Sequence, residues 1–172
     1  MAKGWKGTDK VIAEIRKFGV EAEKKINQET EAIAFQIESD SKKLAPKNFG
    51  KLAQSISKEK INPSNYKITV NEFYGAYMEF GTGVKVNIPA EFADMAATFK
   101  GGTGKSFEDG LEAIKIWCRA KGIDEKAAYP IFAKILGAGV NPQPFLYPSW
   151  VKGKNDYQNN LKRLLKSLNK KI

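Results

Sequence analysis

Asn65-Tyr66-Lys67-Ile68-Thr69-Val70-Asn71 is the stretch that decides the fold. Tyr66, Ile68 and Val70 alternate with Lys67, Thr69 and Asn71, the period of two that marks a strand with one covered face. Just before it, Asn62-Pro63-Ser64-Asn65 carries turn chemistry. Before that turn, Leu52, Gln54, Ile56, Lys58 and Lys60 share one parity and Ala53, Ser55, Ser57 and Glu59 the other. Leu52 to Ile61 is therefore expected to be the first arm of an antiparallel hairpin. The order along the chain is helix, strands, then helices, which makes the class α+β rather than an alternating parallel sheet.

Upstream, Ile12, Ile15, Gly19, Ala22, Ile26, Ile33, Ile37 and Leu44 recur at steps of three and four or their sums, which lays one apolar stripe along a helix from Thr8 to Ala45. Thr8 or Asp9 can cap its start. Pro46 stops it, because a residue before proline avoids the helical region. Such a helix spans about 55 Å, with Gly19 as a candidate bend. The hairpin is expected to lay one face on it. The outer end of the stripe reaches past one small domain and could pack on a neighbouring subunit.

Downstream, Phe73 to Phe80 reads as a short helix or an irregular strand, with Tyr74, Tyr77 and Phe80 spaced by three. Gly81-Thr82-Gly83 turns the chain, and Val84 to Ile88 is expected to form another strand, stopped by Pro89. A helical insert follows. It holds a helix over Glu91–Lys100 with Phe92, Met95, Ala96 and Phe99 on one side, and a flexible Gly101-Gly102-Thr103-Gly104. Next come a helix bearing Leu111, Ile114, Trp117 and Cys118 that ends at Gly122, and an Asp124-capped helix through Ala128, Phe132, Ile135 and Leu136. Pro130 is tolerable there in the first turns. Pro142-Gln143-Pro144-Phe145-Leu146-Tyr147-Pro148 then leads into an amphipathic helix from about Pro148 to Lys170, lined by Trp150, Val151, Tyr157, Leu161, Leu164, Leu165 and Leu168. The expectation is one domain over 1–172, made of a long helix (8–45), a sheet region (50–88), the insert (89–139) and the proline-rich segment with its C-terminal helix (140–172).

The residues that chemistry usually needs are scarce. Among 172 residues there is no histidine and one cysteine. That excludes an intrachain disulfide, a thiolate–imidazole pair and a histidine-based metal site, and it removes the commonest general base. Gly101-Gly102-Thr103-Gly104-Lys105-Ser106 superficially resembles a phosphate loop, but the required first glycine is replaced by Phe99. Cys118 lies on an apolar face and reads as a small buried hydrophobe. No catalytic, metal or cofactor site is expected. Glu79 stands out among the carboxylates: set between Met78 and Phe80 just before a glycine turn, it can accept turn N–H groups or bond a neighbouring subunit's lysine or arginine. No apolar run reaches 18 residues, so no membrane span is expected, and the start lacks the apolar block of an export signal. The net charge of +10 favours polyanionic partners. Lys162, Arg163, Lys166 and Lys170 on the last helix are the candidate contacts to DNA or an acidic partner.

Three pieces of sequence resemble one family. Ala45-Pro46, Gly50-Lys51-Leu52 and Ser55-Ile56 resemble the loop-and-strand signature of the head–tail connector proteins of tailed bacteriophages. These are the neck, minor tail or tail-completion proteins of the lambda-like siphophage type, with minor tail protein Z as a relative. Tyr74 to Thr82 resembles the family's tyrosine-to-Glu-Phe-Gly-Thr run, with Gly75-Ala76 where Ala-Pro is usual. Pro144-Phe145-Leu146-Tyr147-Pro148 resembles its closing Pro-Phe-Leu-x-Pro segment. The stretch holding Trp117, Lys121-Gly122 and Ile131 resembles an insert that many members carry. The resemblance implies a structural, non-enzymatic virion protein at the head–tail junction, present in the host cytoplasm during assembly. Its subunits would form a homo-oligomeric ring of six- or twelve-fold order between portal or head-completion and tail proteins, with genomic DNA passing through the lumen and no membrane contact. Tyr74, Tyr77, Glu79, Phe80, Gly81, Thr82, Pro144, Phe145, Leu146 and Pro148 would then lie at the subunit seam or form a structural motif. The competing reading is a basic nucleic-acid-binding protein.

Overall fold

The computed structural model describes residues 8–47, 50–72, 74–97 and 107–169. Thr8–Leu44 is one continuous helix, α1, of 37 residues, and it passes through Gly19 without a break. Its exposed faces are rich in Glu, Lys and Gln, which lose little side-chain freedom in a helix. Glu21–Lys25 and Glu38–Lys42 add ion pairs one turn apart. Only the C-terminal half of the stripe is covered. Ile33, Ala34, Ile37 and Ser41 are buried, whereas Val11, Ile12 and Ile15 are 55%, 47% and 64% exposed. Leu44, expected in the stripe, is exposed. The buried row steps by four through Ile37, Ser41 and Ala45, and each such step rotates it about 40° further from Leu44.

The expected first strand starts late. Lys51–Ser55 is a single helical turn, α2, entered through Gly50 at φ 69°, and it buries Leu52. The alternation from Leu52 to Ser55 is thus one turn of helix, with the Gln54 N–H donating to the Gly50 carbonyl at 2.9 Å. β1 (Ile56–Asn62) and β2 (Asn65–Val70) then form the antiparallel hairpin. It is in register from Ile56↔Val70 to Asn62↔Asn65, with an irregularity between Lys60 and Asn62. Ile56, Ile68 and Val70 join Ala45, Leu52 and Phe145 in the core, while Ser57 and Thr69 meet hydroxyl to hydroxyl at 3.1 Å on the opposite parity. Lys58 reaches toward α1, its Nζ 5.3 Å from the centre of the Phe35 ring.

The ambiguous segment is a short helix, α3 (Gly75–Phe80). A Cβ at Gly75 would sit 2.7 Å from Val70 Cγ1, so the hairpin presses on the start of this helix. Val84 to Ile88 is not a strand. Gly83–Lys85 is a 3-10 turn, and the sheet among the described residues has two strands. The Val-Lys-Val segment pairs with neither strand of the hairpin; instead the Asn87 N–H donates to the Phe80 carbonyl at 2.8 Å, and Val84 is left 92% exposed.

The insert begins with a 3-10 turn, Ala90–Phe92, and α4 (Ala93–Ala97), a shorter described helix than expected. Phe99 and the glycine-rich Gly101–Ser106 lie outside the described residues, as does Lys170. α5 (Phe107–Lys121) ends at Gly122. Asp124 then accepts the Lys126 N–H at 2.9 Å and caps the turn that leads into α6 (Ala128–Ala138), with Pro130 in its first turn. α5 and α6 pack through Phe107 and Phe132, whose ring centres are 5.0 Å apart.

α7 (Leu146–Asn169) runs antiparallel along α1. Thr30 Oγ1 meets Tyr157 Oη at 2.9 Å, Gln36 donates to Asp156 at 2.8 Å, and Lys152 pairs with Asp40 at 2.7 Å. Leu168 is buried near its end, whereas Leu165, expected on the covered side, is 54% exposed. No helix among the described residues is long and apolar enough to cross a membrane.

Candidate functional site

Two stretches that stood out in the sequence, Tyr74 to Thr82 and Pro144 to Pro148, meet at the start of α7. A helix begins with N–H groups that have no partner inside it. Here those of Phe145, Leu146 and Tyr147 all point at one side chain. Glu79 Oε2 accepts from Phe145 and Leu146, each at 2.9 Å, and Oε1 accepts from Tyr147 at 2.8 Å. The next residue, Pro148, has no N–H to satisfy. Ser149 completes the turn by donating its hydroxyl to the Phe145 carbonyl at 2.7 Å. The Pro-Phe-Leu-Tyr-Pro segment is thus a helix start whose cap comes from α3, more than sixty residues earlier. Negative charge at this end also complements the helix dipole. This explains why α7 starts at Leu146 and not at Pro148.

The latch is buried. Glu79 is 4% exposed, Phe80 5% and Phe145 1%, and Gly81 is buried with them. Tyr74, Tyr77, Thr82, Leu146 and Pro148 are half-buried, and Pro144 is exposed. Burial, followed by the neighbouring charge of Glu72, raises the Tyr74 hydroxyl above the usual tyrosine range. Beside the cap, the two motifs are tied backbone to backbone. The Gln143 N–H donates to the Met78 carbonyl at 2.7 Å, and the Thr82 N–H to the Val140 carbonyl at 3.1 Å. The Val140 N–H returns to Thr82 Oγ1 at 2.8 Å. The close crossing depends on glycine. Gly81 has φ 75° and ψ −177°, a region essentially closed to other residues. Gly139 has φ 73°, and a Cβ there would lie 2.1 Å from the Thr82 carbonyl oxygen.

Phe92, from the start of the insert, wedges into the same place. Its ring centre lies 6.2 Å from Phe80, 5.3 Å from Tyr147 and 5.7 Å from Trp150. Lys154 sits over Trp150 at 4.7 Å and pairs with Glu91 at 3.2 Å. Sequence reading placed Phe92 on one side of a short helix over Glu91–Lys100, whereas it ends the 3-10 turn Ala90–Phe92; nothing in its local pattern names partners more than fifty positions away.

This arrangement is mechanical. Each Glu79 oxygen already receives backbone donors in a closed environment, which gives a rigid joint with no room for a reacting group. Cys118 is fully buried, and the adjacent Arg119 is engaged by Glu112 and Glu125. Among the described residues no group of three or more Cys, Asp or Glu side chains is placed to hold a metal ion. Lys162, Arg163 and Lys166 are exposed on α7, whose residues 153, 157, 160 and 168 turn toward the body. They lie away from the Glu79 joint.

Comparison with known proteins gave one result. Residues 9–81 match the family model HK97-gp10_like, described as "Bacteriophage HK97-gp10, putative tail-component". No curated protein and no solved structure matched. The matched stretch contains α1, α2, the hairpin and α3, and it ends at Gly81, inside the joint. Over these residues the chain is similar to the HK97-gp10-like family of bacteriophage tail components.

Proposed function

We propose that this structural tail component is a subunit of the ring at the phage head–tail junction, where it completes the tail or joins it to the head and leaves a channel for DNA. The family match over residues 9–81 is the observation that carries the reading. Two features support it. The Glu79 joint fixes α7 against α1 and the hairpin, which gives the stiff body that a ring subunit needs. The outer face of α7 presents Lys162, Arg163 and Lys166 with no carboxylate paired to them among the described residues, a face suited to DNA phosphates in a lumen. The test is electron microscopy of a phage lysate made without this protein. Filled heads and tails lying apart, or tails with an abnormal end, are expected; normal joined virions would end the proposal.

The second reading, a nucleic-acid-binding protein in its own right, is favoured by that same basic face. It requires duplex DNA affinity that falls steeply with salt. Changing Lys162, Arg163 and Lys166 to glutamine should then flatten the salt slope by roughly 0.9 per contact removed. Absence of binding at physiological salt removes this reading and leaves the ring proposal to the microscopy.

A further inference from the structure

Helical glycines in this chain mark places where another helix or ring comes close. A Cβ at Gly110 in α5 would lie 2.4 Å from Phe132 of α6, and one at Gly153 in α7 would lie 2.4 Å from Ile37 of α1. Two helical glycines break the pattern. At Gly19 in α1 and at Gly137 in α6 an added Cβ would meet nothing within 4 Å. Glycine weakens a helix, and no packing contact among the described residues accounts for it at Gly19 in the interior of α1 or at Gly137 in the last turn of α6.

Both glycines lie on apolar helix faces that the described residues leave exposed. Around Gly19, the stripe that packs on α7 further along continues past the end of α7 as exposed Val11, Ile12 and Ile15. Around Gly137, the helix Ala128–Ala138 has Lys134 as its one charged residue, yet Tyr129 is 61% and Leu136 59% exposed. A helix apolar on every side belongs in an interior. Val84, 92% exposed, borders this face beside Gly139. The two faces lie toward opposite ends of α1, on the order of 45 Å apart along its axis, so one molecule cannot bring them together.

The exposed area agrees. A compact protein of 19.1 kDa has about 8,400 Å² of accessible surface, whereas this chain has 12239 Å². Giving every residue outside the described set the area of a fully solvated chain still leaves an excess of about 1,100 Å². Two faces of a standard interface need about 800 Å² each, which falls between that lower bound and the full excess.

We infer that the N-terminal end of α1 in one copy docks on the outer face of α6 in the next, Val11, Ile12 and Ile15 against Tyr129, Ala133 and Leu136. Gly19 and Gly137 let the two helices approach closely. Two different faces at opposite ends make a head-to-tail contact, which closes into a ring or grows into a filament. This rests on the ring reading above and names the surfaces of that ring.

The test uses two single variants of the full chain, Ile15→Cys and Ala133→Cys, and a bis-maleimide linker; the buried Cys118 makes the wild type the control. The covalent dimer is expected in the mixture of the two variants and not in either alone. Gly137→Leu should weaken self-association at least tenfold without lowering the melting temperature of the dissociated chain. Self-association in native mass measurements with no mixed dimer, and unchanged by Gly137→Leu, overturns these surfaces while the ring reading stands. A chain that stays monomeric at its highest soluble concentration and yields no mixed dimer also overturns them. The ring reading is then decided separately by the lysate microscopy.

Discussion

Replacing Glu79 with alanine removes the acceptor of three helix-start donors at once. Its oxygens lie 2.8–2.9 Å from the N–H groups of Phe145, Leu146 and Tyr147, and Phe145 is fully buried. Leaving a buried donor unmet costs about 1–3 kcal/mol each. Leu146 and Tyr147 are half-buried and recover part of that from water. The losses are not additive, so the net effect should be about 3–5 kcal/mol for Glu79→Ala. Glu79→Gln keeps the volume and one carbonyl oxygen, but it loses the charge that roughly doubles such bonds and turns an NH2 toward an N–H; about 2–3 kcal/mol is expected. At about 2–4 °C per kcal/mol for a chain of this size, the alanine variant should melt about 6–20 °C below the wild type. Circular dichroism melts and urea titrations of both variants read this directly. Melting within a degree of the wild type would refute the joint as a stabilising element. Combined with lost particle assembly, that result would move Glu79 to a subunit seam, where its partner is another copy.

Other expectations follow from the same geometry. Gly139→Ala should cost about 1–3 kcal/mol and displace the Thr82–Val140 pairing, read as faster amide exchange at Val140; unchanged exchange would contradict the close crossing. Gly153→Ala drives a Cβ to within 2.4 Å of Ile37 and should lower stability by about 1–3 kcal/mol through overpacking, although alanine is the better helix former; a rise in melting temperature would show that α1 and α7 have room to part. Asp40 is held below its usual pKa mainly by its hydrogen bond from Lys152, and that lysine is raised in turn. The pair therefore contributes at neutral pH, and the contribution fades as pH falls through the lowered Asp40 value or rises through the raised Lys152 value. Lys152 stands in solvent, which screens the pair, so Asp40→Asn should lower the melting temperature only slightly at pH 7. The wild-type–variant gap should narrow in acid; a gap that persists below pH 2 would show that something other than this charge pair is at work.

The parts of the fold that follow local rules were legible. The spacing of Ile12 through Ile37 marks α1, Pro46 its end, and the alternation of Tyr66, Ile68 and Val70 marks β2 and hence the hairpin. What failed depended on distant neighbours. Val84-Lys85-Val86 has strand periodicity, but its flanks are bonded to Val140 and Phe80 rather than to the hairpin; Leu52–Ser55 has the same periodicity but is drawn into a turn by Gly50 and the core. Glu79 could be read as a residue that accepts turn N–H groups. That the turn would be the start of α7, and that Phe92 would lock over it, depends on contacts across more than fifty residues that no local pattern encodes. The exposure of Val11, Ile12 and Ile15 is likewise invisible in a stripe that looks continuous, because the stripe does not say where α7 stops covering it.

The Thr82–Val140 pairing has one more consequence. The chain leaves the body at Thr82 and comes back at Val140, a hydrogen bond away, so everything between is a detour whose two ends are stapled together. The entropic cost of closing such a detour grows only with the logarithm of its length, about 0.6 kcal/mol per doubling. Helices can therefore be lengthened, shortened or exchanged inside it with little effect on the body, as long as the staple holds and the Phe92 plug is kept. The family match stops at residue 81, at the very point where the detour departs. The detour is therefore the part of the chain whose length is least constrained by the packing of α1, the hairpin and α7.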